Sequence, residues 1–172
     1  MTNGMAKIDG VPVEVRRGET ILAAARRTGA EIPTLCYAEH LLPEGGCRLC
    51  LVQTNRSRKP VAACYSLLQP GMEIQTHTQE IESLRRDVLS LYLATDVAEG
   101  LMSDGRESPF TRLLQKYNLP VPASRKPETI DASHTYLRFN PQLCINCRRC
   151  LNACEQIQGQ FVYSLANRGP AT

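Results

Sequence analysis

The sequence predicts an α+β fold on three observations. Short alternating segments separated by turn residues fill its first third, with one helical run among them. Two apolar stripes at helical spacing follow. Eight cysteines gather in two groups of four, one in each terminal part, with none between.

In order, Lys7 and Ile8 and then residues 11–15 flank Asp9 and Gly10, a strong hairpin signal. Residues 20–28 (TILAAARRT) are rich in helix formers, and Gly29 is a natural stop. Residues 32–35 (IPTL) lead into a long loop over 36–46. Residues 51–54 and 60–64 read as a strand pair around the polar turn NRSRK, and 72–76 as a last short strand after Pro70 and Gly71. Ile81, Leu84, Val88 and Leu91 mark a helix, with Thr76 and Gln79 at capping-box spacing. Residues 98–105 break that pattern. Ser108 and Pro109 then start a second helix with Phe110, Leu113, Leu114 and Tyr117 on its apolar face. Residues 119–129 (LPVPASRKPET) are a linker by composition. Residues 135–139 alternate like a strand, 151–157 read as a short helix, and 161–165 as a returning strand. The chain thus divides into 1–77, 78–130 and 131–172.

Composition narrows the function. The chain is 42% hydrophobic and lacks Trp, so its core is modest. A net charge of +3, with Lys and Arg scattered among acids, gives no nucleic-acid face. No run approaches the roughly 20 apolar residues of a membrane span. Residues 1–10 lack an apolar signal region, so a cytoplasmic protein with free thiols is expected.

Cys36, Cys47, Cys50 and Cys64 are spaced C-x10-C-x2-C-x13-C. A [2Fe–2S] cluster takes a C-x2-C pair from a tight loop and further thiolates from separate segments. The loop before Cys47 is longer than in the plant-type pattern. Gly45 and Gly46 stand where the backbone must wrap closely and aim amides at sulfur. Zinc is the rival, but structural zinc sites usually use two such pairs and this group has one. Cys144, Cys147, Cys150 and Cys154 are spaced C-x2-C-x2-C-x3-C, the more specific signature of a [4Fe–4S] site. Three of these thiolates clamp three corners of one cubane, and the fourth serves that cluster or a second one. Arg148 and Arg149 lie inside the motif, either to offset cluster charge, to meet an acidic partner or simply to be solvated. His40, His77 and His134 read as surface or packing residues.

Residues 32–51, IPTLCYAEHLLPEGGCRLCL, with Ala63 and Cys64 after them, resemble the N-terminal [2Fe–2S] domain of a known family. That family includes the large iron–sulfur subunit of NADH:quinone oxidoreductase, the α subunit of NAD-dependent formate dehydrogenase, and related hydrogenase and diaphorase subunits. The resemblance implies a β-grasp [2Fe–2S] ferredoxin-like domain, a helical middle, and half of a bacterial-type [4Fe–4S] ferredoxin-like domain. Residues 143–159, LCINCRRCLNACEQIQG, look like the first half-motif of the family's two-[4Fe–4S] domain, although Glu155 replaces the usual proline. The family's middle carries a further [4Fe–4S] site, H-x3-C-x2-C-x5-C, before a helix similar to residues 109–118. In that register Thr95, Glu99, Met102 and Ser108 stand at the ligand positions, so that site is expected to be lost. The second half-motif is also missing. This reads as a piece of a longer polypeptide, or as a small subunit closed by Cys154 or by a partner's cysteine.

The resemblance implies electron transfer between a flavin- and NADH-oxidising iron–sulfur subunit and a molybdopterin or other catalytic domain, with formate the first substrate to consider. The alternatives are a diaphorase-side carrier of an NAD-linked hydrogenase and, from another class, a zinc-binding assembly or regulatory protein. The sequence holds no nucleotide-binding glycine loop, nucleophile with a base, or paired-carboxylate site, so no residue is assigned as catalytic.

Overall fold

A computed structural model describes residues 4–94, 107–120 and 130–167. Asp9 and Gly10 take φ of +49° and +82°, as a two-residue hairpin turn requires. Strands β1 (Met5–Ile8) and β2 (Val11–Glu14) therefore pair antiparallel, with Lys7 opposite Pro12. Pro12 is tolerated because β2 is the sheet's edge. Helix α1 (Ile21–Arg27) begins where Thr20 Oγ1 accepts from the Ala23 N–H, and Gly29 turns the chain away at φ +80°. It buries Ile21, Leu22, Ala24 and Ala25 in the main core. Strands β3 (Leu51–Thr54), β4 (Ser57–Ala62) and β5 (Glu73–Gln75) complete a mixed sheet of order β2-β1-β5-β3-β4. Only β1 and β5 run parallel within it. This is the expected α+β, ferredoxin-like arrangement.

Several local expectations are corrected. The turn between β3 and β4 is Asn55 and Arg56 alone, because β4 already pairs at Ser57. β4 ends at Ala62, whose carbonyl accepts from the Tyr65 and Ser66 N–H groups and curls Cys64 out of the sheet. Thr76 caps no helix. Its N–H and hydroxyl donate to the Asp9 carboxylate at 2.7 and 2.5 Å, tying β5 to the first hairpin. Helix α2 (Gln79–Leu93) is capped instead by Thr78, whose Oγ1 accepts from the Ile81 N–H. Its buried face is Ile81, Arg85 and Leu89, while Leu91 is 70% exposed. The helix is rotated from the expected stripe because Arg85, rather than Leu84, meets backbone carbonyls in the interior.

Helix α3 (Pro109–Lys116) starts as the sequence predicts. Ser108 Oγ accepts from the Thr111 N–H, and Thr111 Oγ1 accepts from the Ser108 N–H. Phe110, Leu114 and Tyr117 join Leu35, Cys47, Leu49 and Leu89 in a second core, so α2 and α3 lie over the first cysteine loop. The break expected over 98–105, and the linker beyond Pro120 as far as residue 129, lie outside the described residues.

The last part is less regular than expected. In place of a strand over 135–139 there is one bridge, Asp131 to Phe139, with N–H···O distances of 2.8 and 2.9 Å. Residues 161–165 carry no ladder among the described residues. Alternating side chains define a strand only where a neighbour takes its backbone N–H and C=O groups. The expected helix starts earlier, as α4 (Arg149–Asn152), and widens into a π-helical turn (Ala153–Gln158) that Gly159 ends at φ +64°.

Candidate metal centres

Three segments deliver the first cysteine group. Cys36 follows the IPTL segment, Cys47 and Cys50 bracket a tight knuckle leading into β3, and Cys64 sits on the turn after β4. Within the knuckle Arg48 takes φ +56°, a left-handed conformation that costs a non-glycine residue roughly 1–2 kcal/mol. The Ala63 N–H donates to the Cys50 carbonyl at 2.9 Å and draws the Cys64 turn against the knuckle. Cys47, Cys50 and Cys64 are buried and Cys36 is half-buried.

The thiols form two pairs. Cys36 and Cys47 sulfurs are 3.4 Å apart, as are those of Cys50 and Cys64. A tetrahedral centre with thiolate bonds of about 2.3 Å spaces its sulfurs about 3.8 Å apart. Each pair therefore fits one metal, and two pairs fit two adjacent metals. Among the described residues, no three His, Cys, Asp or Glu side chains converge on a single ion position. A backbone donor is aimed inward. The Cys47 N–H meets Cys36 Sγ at 3.4 Å. Hydrogen bonding within each pair, ahead of burial, holds the Cys47 and Cys50 thiols below their ordinary range and pushes Cys36 and Cys64 above it. Paired buried thiols with a backbone amide aimed at one of them suit a [2Fe–2S] cluster, whose sulfurs carry negative charge.

The second group lies on one loop and its helix. Asn146 and Arg148 are left-handed, at φ +51° and +60°. Arg148 thus repeats, after Cys147, the conformation of Arg48 after Cys47. Cys144 and Cys147 are half-buried, Cys150 is exposed, and Cys154 is buried in the π-helical turn. This loop docks on the first. Arg149 Nη2 donates to the Tyr37 carbonyl at 2.8 Å, the Leu42 N–H donates to Gln156 Oε1 at 2.7 Å, and Arg148 faces Glu44 at 3.9 Å. Ile145 packs against the Leu35 and Leu49 core.

The two groups therefore share a cleft of about 430 Å³, lined by Cys36, Gly46 and Tyr92 and by Asn146, Cys147 and Arg148. Burial pushes the Tyr92 phenol up to about 12, and the adjacent Cys47, Cys36 and Cys147 add to the shift. Of the positions matching the family's middle site, Ser108 is the α3 cap, while Thr95, Glu99 and Met102 lie outside the described residues. His77 joins Glu82 at 2.8 Å and the Glu31 carbonyl at 3.2 Å, and His40 and His134 are exposed. Sequence reasoning missed Tyr92, Arg85 and the left-handed arginines, because neither arginine nor tyrosine marks such positions by type.

Residues 5–79 match the family described as the 2Fe-2S iron-sulfur cluster binding domain. The chain is 33% identical over 172 residues to an NADH-quinone oxidoreductase subunit of Rhizobium meliloti (strain 1021), covering 96% of this chain and 20% of that protein. It is 32% identical over 178 residues to the NADH-ubiquinone oxidoreductase 75 kDa subunit of Reclinomonas americana, covering 96% and 24%. The chain thus spans about a fifth to a quarter of the length of these curated relatives. Among solved structures, a chain of an NAD+-reducing [NiFe]-hydrogenase in the H2-reduced state superposes with a TM-score of 0.82 at 25% identity, over 99% of this chain and 73% of that one. Residues 5–79 therefore match the 2Fe-2S iron-sulfur cluster binding domain, within a chain similar along nearly its whole length to subunits of NADH-quinone and NADH-ubiquinone oxidoreductases.

Proposed function

We propose that the chain is a one-electron relay between an NADH-oxidising flavin subunit and a separate catalytic site. In this reading Cys36, Cys47, Cys50 and Cys64 hold a [2Fe–2S] cluster. Cys144, Cys147 and Cys150 hold three corners of a [4Fe–4S] cluster, and Cys154 serves that cluster or a neighbouring one. The segments 1–77, 78–130 and 131–172 are then the first cluster domain, a helical spacer and the second cluster segment. The clusters supply reversible one-electron chemistry. The chain's own part is to hold the thiolates in pairs, face Cys36 with an amide, and keep water out with the core under α2 and α3.

The shared cleft carries the reading, because Cys36 and Cys147 line it together. Ser108, spent as a helix cap, supports a route that bypasses the family's middle site. The two-pair arrangement of the first thiols favours iron over zinc. Among the described residues, no helix is long and apolar enough to cross a membrane. A cytoplasmic location and a formate-oxidising partner with molybdopterin belong to the same proposal. A hydrogenase-side role is the second reading, favoured by the hydrogenase chain that matches 99% of this one.

An anaerobic redox titration followed by EPR tests the reading. A [2Fe–2S] signal is expected in the region of about −400 mV. A Cys47→Ser variant should abolish or strongly alter it, and an unchanged signal overturns the ligand assignment.

A further inference from the structure

Arg85 is the largest fully buried side chain of the described protein, with 0% exposure. Burying a guanidinium costs several kcal/mol unless its donors are met, and apolar residues often do as well for stability alone. Here the donors are met by the cysteine knuckle. Nε donates to the Leu49 carbonyl and Nη2 to the Leu51 carbonyl, each at 3.0 Å, while Nη1 donates to Glu82 Oε1 at 2.8 Å. Leu49 and Leu51 flank Cys50.

A trans peptide points its C=O and N–H in opposite directions. With the Leu49 carbonyl pinned to Arg85, the Cys50 N–H of the same peptide is turned the other way, away from the guanidinium. The fork thus fixes the orientation of the Cys50 peptide within the knuckle. It also places a full positive charge behind Cys50, in an interior where charges act more strongly than in water. Glu82, its partner, is 37% exposed on the solvent side and also meets His77.

We propose that Arg85 is a positioning residue for the first cluster, orienting the Cys50 peptide and raising the cluster's reduction potential through its buried charge. This rests on the [2Fe–2S] reading above. A reduced cluster carries one more negative charge, which a nearby cation stabilises.

The test is an EPR redox titration of the whole chain at a pH above the histidine range, together with the rate at which a chelator strips iron. Arg85→Met is expected to lower the potential and speed stripping. Arg85→Lys keeps the charge without the fork, so it should restore most of the potential while stripping stays fast. Glu82→Gln leaves both carbonyl contacts and removes the counter-charge, so the potential should rise while stripping is unchanged. If Arg85→Met does not fold, Glu82→Gln decides alone, and the absence of an upward shift overturns the proposal. A normal wild-type signal whose potential ignores both positions overturns Arg85's role only. A wild-type chain with no [2Fe–2S] signal overturns the reading beneath it.

Discussion

Arg149 of the second cysteine loop donates through Nη2 to the carbonyl of Tyr37, the residue after Cys36, at 2.8 Å. A charge-assisted bond thus joins the neighbours of two cysteine groups far apart in sequence. The Leu42 N–H to Gln156 contact lies in the same interface and reports on it.

Arg149→Met should therefore loosen the docked loops. A hydrogen bond to a charged group contributes about 1.5–3 kcal/mol. The Leu42 amide should exchange with deuterium at least about tenfold faster in the variant, while the [2Fe–2S] spectrum keeps its shape. Unchanged protection at Leu42 would show that Arg149 does not hold the loops together.

Ser108→Ala tests whether this position is a cap or a remnant ligand. Loss of an N-cap costs about 1 kcal/mol, so denaturant unfolding should shift by that order while iron per chain stays constant. A fall in iron content would assign Ser108 to a metal instead.

Glu19 accepts a two-pronged bond from Arg27, with N···O distances of 3.0 and 2.8 Å, tying the start of α1 to its end. That hydrogen bond holds the Glu19 carboxyl below its ordinary value of 4.5. A depressed folded pKa stabilises above the unfolded value and is lost as pH falls through the folded one. Glu19→Gln should thus lower Tm by about 2–4 °C at neutral pH, as for a screened pair. In acid below both pKa values the variant and the parent should melt together. A constant difference at all pH values would remove the ion pair from the account.

Features set by neighbouring residues were legible in the sequence. The Asp9 and Gly10 turn, the Gly29 stop, the Ser108 and Pro109 start of α3, and the grouping of the cysteines all depend on local chemistry. Features set by distant partners were not. Thr76 is claimed by Asp9 across the sheet, and the α2 face turns on Arg85 reaching carbonyls of another segment. Phe139 pairs with Asp131 rather than within a sheet, and 161–165 show that apolar alternation alone makes no strand. The left-handed Arg48 and Arg148 follow from knuckle closure, which residue type does not announce.

The central claim is that the two cysteine groups hold clusters facing one cleft, with nothing bound at the capped start of α3. Anomalous diffraction at the iron edge, from crystals of anaerobically prepared protein, tests it most directly. Two iron peaks are expected in the first group, one beside Cys36 and Cys47 and one beside Cys50 and Cys64. A further iron group is expected beside Cys144, Cys147 and Cys150, and none at Ser108. A single peak shared by all four cysteines of the first group, strong at the zinc edge and weak at the iron edge, would contradict the account.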